Sequence, residues 1–283
     1  MVKDIREIAA EDYWDELRQR WGALLSYRYI GRQFASMNNV EDNAVLLRHD
    51  MRNAAGGVMA APLAITCPTP GGGKSDLEAV PNPVIHSIQI LDDARDVQRI
   101  EVVRVTNLRG GRTMGFGRAI IVDADNNDRV IALVQCQVAS IGEVPPGLPK
   151  FDDDPVMHIE DSPDLPPLWK VFGASRRQDG HWILPELRPE LASPDAALHL
   201  GPQHIVLEAA AIDHASALTG TDRLQVESTN VMHLARGKVG PFRVDGFAYD
   251  GSHGRVGVQM TMHDEGNGDR AVTASAIVFR RVE

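Results

Sequence analysis

Residues 201–220 read GPQHIVLEAAAIDHASALTG, and this stretch has the composition of a helix with almost no polar face. Gly201 and Pro202 suit the N-cap and the first helical position, because proline loses no hydrogen bond there, and Gly220 provides a stop. A helix that is apolar nearly all round is normally surrounded by other elements. We therefore predict a buried central helix, wrapped by strands in the chain that follows it.

Two polar side chains in this helix are candidates for a functional role. Asp213 lies within the apolar run, where a carboxylate is either paired or has its pKa raised towards that of a working base. The alternative is a packing helix in which a neighbouring N–H satisfies Asp213. His204, in the first turn, can orient a carbonyl group or cap the helix, and we favour the cap.

The composition limits the class of protein. With 283 residues, of which 43% are hydrophobic and 24% charged, the chain is long enough for one large domain or two small ones. A net charge of −10 argues against a nucleic-acid-binding protein, which normally has a basic surface. The sequence has no run of 18 apolar residues and a charged N-terminus, so we expect no membrane span, no signal peptide and a cytoplasmic location.

Cysteines and histidines give no sign of a metal or a disulfide framework. Cys67 and Cys136 both lie in apolar stretches and are expected to be reduced thiols. The histidines follow no recognised metal-ligand spacing, so the sequence predicts no metal site.

Helical spacing occurs in two segments before the central helix. Residues 4–25 carry apolar side chains on one side and predict an amphipathic helix that packs against the protein or forms a homo-oligomer contact. Residues 52–68 predict a second apolar helix, opened by Gly56 and Gly57 and kept short by its prolines.

Eight strand-like runs occur in two sets of four. They span 84–91, 99–108, 112–123 and 129–140, then 224–235, 241–250, 255–264 and 271–282. The two sets share details, since DADNNDR (123–129) and HDEGNGDR (263–270) both end in Asp-Arg before the last strand. A helix followed by four strands, occurring twice, predicts an α+β protein with an internal duplication. We place the first unit in 1–142, a linker rich in proline and acids in 143–180, and the second unit in 181–283.

These features resemble the acyl-CoA thioesterase II (TesB-like) family, which has a double hotdog fold. The resemblance is carried by the Gly-Gly helix opening in AGGVMA (55–60), by the strand region 84–123, and by the nine-residue separation of His204 and Asp213. It implies two antiparallel sheets, each wrapped around a central helix. It also implies an acyl-CoA substrate and no separate cofactor.

The family's hydrolytic site is an Asp, a Thr and a Gln that orient a water molecule against the thioester, and the resemblance extends to Asp213. The Thr position falls on Glu227, and a shift of one or two residues brings Ser228 or Thr229 there. The Gln position falls on Val278. We therefore take Asp213, Glu227 and Thr229 as the catalytic candidates. Glu227 forms a coupled acid pair with Asp213 if it faces the helix, and is a solvated surface acid if it faces outwards.

The same resemblance suggests how a thioester would be bound. Backbone N–H groups at a helix N-terminus can hold a developing oxyanion. Gly56 and Gly57 allow a ligand to approach closely, or only allow the helix to pack on a strand. At the N-terminus of the second helix, the Ile205 side chain beside His204 leaves less room for a ligand than the two glycines do at the first helix. The substrate-binding candidates are thus Gly56, Gly57, His204 and Ile205.

Three functions remain open. The first is hydrolysis of an acyl-CoA thioester by a water that a carboxylate orients. The second is binding of an acyl thioester without hydrolysis, which Val278 at the Gln position favours. The third is an enoyl-CoA hydratase, which needs an Asp and a His about five residues apart, where the chain has His199 and His204 instead.

Overall fold

The computed structural model describes residues 3–32, 44–70, 79–146 and 156–282. Its helices are α1 (Tyr13–Ala23), α2 (Leu25–Ile30), α3 (Ala60–Thr66), α4 (Leu168–Val171) and α5 (Leu200–Thr219). Its strands are β1 (Val45–Leu46), β2 (Ala79–Ile90), β3 (Arg99–Gly110), β4 (Met114–Asp123), β5 (Asn126–Glu143), β6 (Ser175–Arg176), β7 (Trp182–Leu184), β8 (Ala192–Ser193), β9 (Ala197–Leu198), β10 (Leu224–His233), β11 (Phe242–Asp250), β12 (Arg255–Asp264) and β13 (Arg270–Arg281).

The eight predicted strands are confirmed as β2 to β5 and β10 to β13. Their burial alternates along the chain, most clearly in β12, where Val256, Val258, Met260 and Met262 are buried. This period of two is what a sheet with one covered face requires, because successive side chains point to opposite faces.

Eleven strands form one antiparallel sheet in the order β1-β3-β4-β5-β2-β10-β13-β12-β11-β7-β6. From its centre outwards, one half runs β2-β5-β4-β3 and the other β10-β13-β12-β11, so each half has the same strand order. The expectation of two separate sheets is wrong. β2 and β10 pair from Ile85 opposite Met232 to Gln89 opposite Ser228, which joins the halves and satisfies two strand edges.

The central helix is confirmed as α5, which lies against β10 to β13. Its N-cap is His199, two residues before the predicted Gly201, and the His199 Nδ1 atom accepts a hydrogen bond from the Gly201 N–H at 3.2 Å. Gly220 ends the helix in the left-handed conformation, at φ 72°. Every residue from Leu200 to Ala211 is buried, so this part of α5 forms the centre of the hydrophobic core.

The first half has a much shorter helix than the second. α3 covers only seven residues, because residues 52–59 form a loop, and it packs mainly on α5. Pro62 lies in the first turn of α3, where its missing N–H leaves no intrahelical hydrogen bond unmade. All seven residues of α3 are buried, so the first half does have an enclosed helix, and that helix is short as its prolines predicted.

The segments outside the two sets of strands also differ from the prediction. The amphipathic helix expected over 4–25 is divided into a short 3-10 turn, α1 and α2, because Leu24 adopts an extended conformation at ψ 108°. Residues 147–155 of the predicted linker lie outside the described residues. The rest of that segment includes α4 and β6, which lie beside a cleft at one side of α5.

Candidate functional site

A cleft of about 670 Å³ opens between α5, the loop that precedes α3, and the segment that contains α4. Asn53 and Gly56 of the loop form one wall, Asp213 of α5 forms another, and Trp169 and Trp182 close the third. The cleft therefore brings together residues from both halves of the chain.

Asp213 is held at the wall of this cleft by two donors. Its Oδ2 atom accepts a hydrogen bond from the Trp182 Nε1–H at 2.8 Å and lies 3.3 Å from the Arg176 guanidinium. No described residue donates a hydrogen bond to Oδ1. The expectation of a buried carboxylate is wrong, since the side chain is 37% exposed. Only the first three turns of α5 are enclosed, and Asp213 follows them.

Trp182 is the residue that fixes the position of the Asp213 carboxylate. It lies on β7, which pairs with β11 through Val244 opposite Trp182, and its ring meets that of Trp169 edge to face at 5.1 Å. Only 8% of Trp182 is exposed. The sequence analysis did not identify the indole donor, because the hydrogen bond joins two residues that are 31 positions apart along the chain.

In the Gly56–Gly57 loop, each of the two glycines is required for a different structural reason. Gly56 has a φ of +84°, a backbone conformation that residues with a side chain rarely adopt. A Cβ atom on Gly57 would lie 1.8 Å from the Gln225 Oε1 atom. Asn53 organises the loop, since its Oδ1 accepts N–H groups of Ala55 and Gly57 and its Nδ2 donates to Gln225 Oε1 at 2.9 Å. Of the two predicted glycines, Gly56 lines the cleft.

Glu208 is a buried acid that sequence reasoning missed. Its carboxylate accepts the backbone N–H groups of Ala60 at 2.9 Å and Ala61 at 2.7 Å, at the N-terminus of α3. Burial raises the pKa of Glu208 to about 7, although these two hydrogen bonds lower it in part. The Glu208 carboxylate accepts hydrogen bonds from the same helix-terminal N–H groups that we expected to bind an oxyanion in the first half of the chain. The sequence signal that could have identified Glu208 is an acidic residue inside the apolar run 205–212.

His204 and Ile205 do not belong to the cleft. His204 is 3% exposed and packs edge to face on His86, with ring centroids 5.2 Å apart, while Ile205 is completely buried. Nine residues of helix also separate His204 from Asp213 by roughly 13 Å. Burial lowers the pKa of His204 well below its usual value, so this imidazole is a neutral core group. Neither residue lines the cleft beside Asp213, and their substrate-binding roles stay predictions.

Glu227 and Thr229 do not line the cleft either. Glu227 occupies a bulge in β10 and forms ion pairs with Arg255 at 2.6 Å and Arg280 at 3.5 Å, not with Asp213. Thr229 is 4% exposed and points into the core of the sheet. Val278, at the position expected for Gln, pairs with Ser228 on the face directed away from α5. The catalytic roles of Glu227 and Thr229 stay predictions.

A smaller cavity of about 140 Å³ lies at the N-terminus of α5, under α1 and α2. Its polar wall is a network in which Arg236 binds Asp195 at 2.5 Å and Ser193 at 2.7 Å. Gln203 and His233 continue this wall, with Gln203 Oε1 3.1 Å from His233 Nδ1. Arg236, Asp195 and Ser193 bind one another there, whereas the buried His233 Nε2 atom has no hydrogen-bond partner among the described residues.

The described part of the chain contains no cluster of three or more His, Cys, Asp or Glu side chains arranged to hold a metal ion. Cys67 and Cys136 are both free and buried, and burial raises the pKa of each thiol to about 12. Neither thiol is therefore an activated nucleophile. Within the same residues, no helix combines the length and apolarity needed to cross a membrane.

Comparison with known proteins places this geometry in a known fold. No family model and no curated protein matches the sequence. The tesB protein of Mycobacterium avium subs paratuberculosis is 14% identical, with a TM-score of 0.56 over 90% of this chain and 99% of that one. A Thermobifida fusca protein described as a thioesterase II is 14% identical, with a TM-score of 0.53 over 90% and 100%.

The description of a third similar structure states its fold. It is a protein of unknown function with a hotdog fold from Alicyclobacillus acidocaldarius, which is 12% identical, with a TM-score of 0.52 over 85% of this chain and 92% of that one. The chain therefore has a hotdog fold of the kind found in TesB-like and thioesterase II proteins.

Proposed function

We propose that this protein hydrolyses an acyl thioester in the Asp213 cleft, with the Asp213 carboxylate orienting the attacking water. The observation that carries this proposal is the anchored carboxylate on the cleft wall. Its Oδ2 is fixed by Trp182 and its Oδ1 is left for a ligand or water. The similarity to solved thioesterases of the same fold supports the reaction class.

The chemistry requires one base and room for a thioester. A water molecule on Oδ1 transfers a proton to Asp213 as its oxygen attacks the carbonyl carbon. The C–S bond then breaks and the proton on Asp213 passes to the leaving sulfur, which releases a thiol and a carboxylic acid and restores the carboxylate. Positioned general bases contribute roughly 10²–10⁴-fold to such steps. Arg176, 62% exposed beside the carboxylate, supplies positive charge at the cleft mouth.

We also propose acyl-CoA as the substrate and a duplicated hotdog as the architecture. The solved proteins of similar fold include thioesterases, and the cleft is large enough for an acyl group with part of its carrier. The identical strand order of the two halves supports duplication within one chain.

Thiol release from a panel of acyl-CoA thioesters tests this function. Asp213→Asn keeps the shape of the side chain and removes the base, so we expect kcat to fall by about 10²–10⁴-fold with little change in the unfolding midpoint. Activity within threefold of the wild type would refute the role of Asp213.

Asp250→Asn is the matched control. Asp250 also pairs with an arginine, Arg281, at 2.6 Å, but it lies exposed on β11 and outside the cleft. Its substitution makes the same chemical change and should leave thiol release unchanged.

Glu208 favours a second candidate function, binding of an acyl thioester without hydrolysis. The ionised carboxylate holds the N–H groups of Ala60 and Ala61, which removes the helix-terminal donors for an oxyanion in this half. Calorimetric binding of acyl-CoA without thiol release would support this candidate, and measurable turnover would exclude it.

A further inference from the structure

The cavity of about 140 Å³ under α1 and α2 has an apolar end. Leu17 of α1 belongs there to a small apolar cluster, on which Trp21, Val80 and Val144 pack. The volume is close to the ~150 Å³ of an apolar cavity that holds one benzene molecule. This end therefore has room for a single ring or a short hydrocarbon chain.

The His199 ring gives the cavity a hydrogen-bond donor. Only 6% of His199 is exposed, and its Nδ1 atom lies 3.2 Å from the Gly201 nitrogen and 2.9 Å from the Ser26 Oγ atom. A backbone N–H group can only donate, so Nδ1 is the acceptor and the ring proton is on Nε2. Burial lowers the pKa of His199 to about 3, which keeps the ring neutral in this tautomer. No described residue accepts a hydrogen bond from Nε2–H, so this donor is available to a ligand.

Positive charge lies at the same end of the cavity as His199. The Arg32 guanidinium lies over the Tyr27 ring, 4.6 Å from its centroid, and the His199 ring meets that same ring edge to face at 5.0 Å. Among the described residues, no carboxylate forms an ion pair with Arg32. The other cation of the wall, Arg236, is paired with Asp195. The charge of Arg32 is therefore available to an anion in the cavity.

We propose that this cavity binds a small monocarboxylate, with its hydrocarbon part against Leu17 and its carboxylate beside His199 Nε2–H and Arg32. Hydrogen bonds between N–H donors and a carboxylate are charge-assisted, and the planar guanidinium matches a carboxylate in shape. A phosphate is a poorer ligand, because the apolar end has no partner for further charge. Among the described residues, the cavity shares none with the Asp213 cleft, so this site does not depend on the proposed hydrolysis.

Calorimetric titration of the full chain with benzoate, benzamide and benzyl alcohol tests this site. The three probes have nearly the same shape, but only benzoate is charged. We expect benzoate to bind with a Kd on the order of 0.1–1 mM and ~10-fold more tightly than benzamide. Benzyl alcohol is the probe for His233 on the same wall, because the His233 Nδ1–H faces Gln203 Oε1 and leaves Nε2 as an acceptor without a described partner. Tighter binding of benzyl alcohol than of benzoate would overturn the proposal.

Three substitutions test the groups that hold the ligand. Arg32→Gln removes the charge at a part-exposed position, and should weaken benzoate binding ~10-fold while changing the Kd of benzamide less than ~2-fold. His199→Asn keeps a side-chain acceptor for the N-cap of α5 and lacks the Nε2–H donor, so it should weaken benzoate binding ~10-fold or more. Val144→Trp fills the apolar end and should abolish binding of all three probes.

Val105→Trp is the matched control, because Val105 is 56% exposed on β3 and does not line the cavity, and it should bind benzoate as the wild type does. Asp213→Asn should also bind benzoate with the wild-type Kd, and far-ultraviolet circular dichroism should show that all variants are folded. Benzoate binding that is lost in Asp213→Asn and kept in Val144→Trp would place the ligand in the cleft and overturn the proposal. So would the absence of a heat of binding at 10 mM benzoate, or equal benzoate affinities of the wild type and folded Arg32→Gln.

Discussion

Replacing Glu208 by glutamine should change how the stability of this protein depends on pH. Glu208 is completely enclosed, and its carboxylate contacts the N–H groups of Ala60 and Ala61. Burial raises the pKa of Glu208 from 4.5 to about 7, so the folded chain retains a proton that the unfolded chain has lost. Between these two pH values the unfolded state binds fewer protons at this site, and the contribution of Glu208 to the free energy of unfolding therefore falls as pH rises.

The size of this effect follows from the raised pKa. One pKa unit corresponds to about 1.4 kcal/mol, so a rise from 4.5 to about 7 corresponds to roughly 3 kcal/mol. This contribution is fully present below pH 4.5 and is lost as pH rises through 7. It is a large fraction of the 5–15 kcal/mol that is typical of a folded domain.

Urea unfolding of wild type and Glu208→Gln between pH 5 and pH 8.5 measures the effect. We expect the stability of the wild type relative to the variant to fall by about 3 kcal/mol across this range. Glu190→Gln is the control, because it makes the same chemical change at an exposed glutamate that pairs with Arg188 on the surface.

A constant difference between wild type and Glu208→Gln would refute the reasoning. So would a difference that grows with pH, because that outcome requires a carboxylate whose ionised form is favoured by its surroundings. The first result would mean that the two N–H groups offset the cost of burial, and the second that they outweigh it.

Three further outcomes follow from the same contacts. Trp182→Phe removes one hydrogen bond to Asp213 and should lower kcat by about 5- to 10-fold in the thiol-release assay. An unchanged kcat would show that the Asp213 carboxylate does not need this hydrogen bond. Gly57→Ala places a Cβ atom against Gln225 and should cost about 1–3 kcal/mol in urea unfolding, which Gln225→Ala should partly restore in the double variant. Burial lowers the pKa of His86 from 6.5 to about 4, so the stability of the wild type relative to His86→Asn should rise with pH between 4 and 6.5, and a constant difference in urea unfolding would contradict this.

The strands could be predicted from the sequence because their signal is local. Val256, Val258, Met260 and Met262 alternate with polar neighbours, and one covered face is enough to produce that pattern. The union of two sheets into one could not be predicted in this way. It depends on the pairing of Ile85 with Met232, 147 residues apart, and the sequence pattern of each strand is the same with or without that neighbour.

The candidate site was predicted in part for the same reason. Asp213 and Gly56 were found because an acid in an apolar helix and a paired glycine are visible in one sequence, and both line the cleft. Trp182 and Gln225 were missed because their roles are contacts between distant segments. Glu208 gave the same signal as Asp213, yet the fold encloses Glu208 and leaves Asp213 at the cleft.

The most direct test is a crystal structure with a ketone analogue of acyl-CoA, in which a methylene group replaces the thioester sulfur. We expect the analogue in the cleft of about 670 Å³, with its carbonyl carbon one water molecule away from Asp213 Oδ1. An analogue bound in the cavity beside His199 and Gln203, with the Asp213 cleft holding solvent alone, would contradict it.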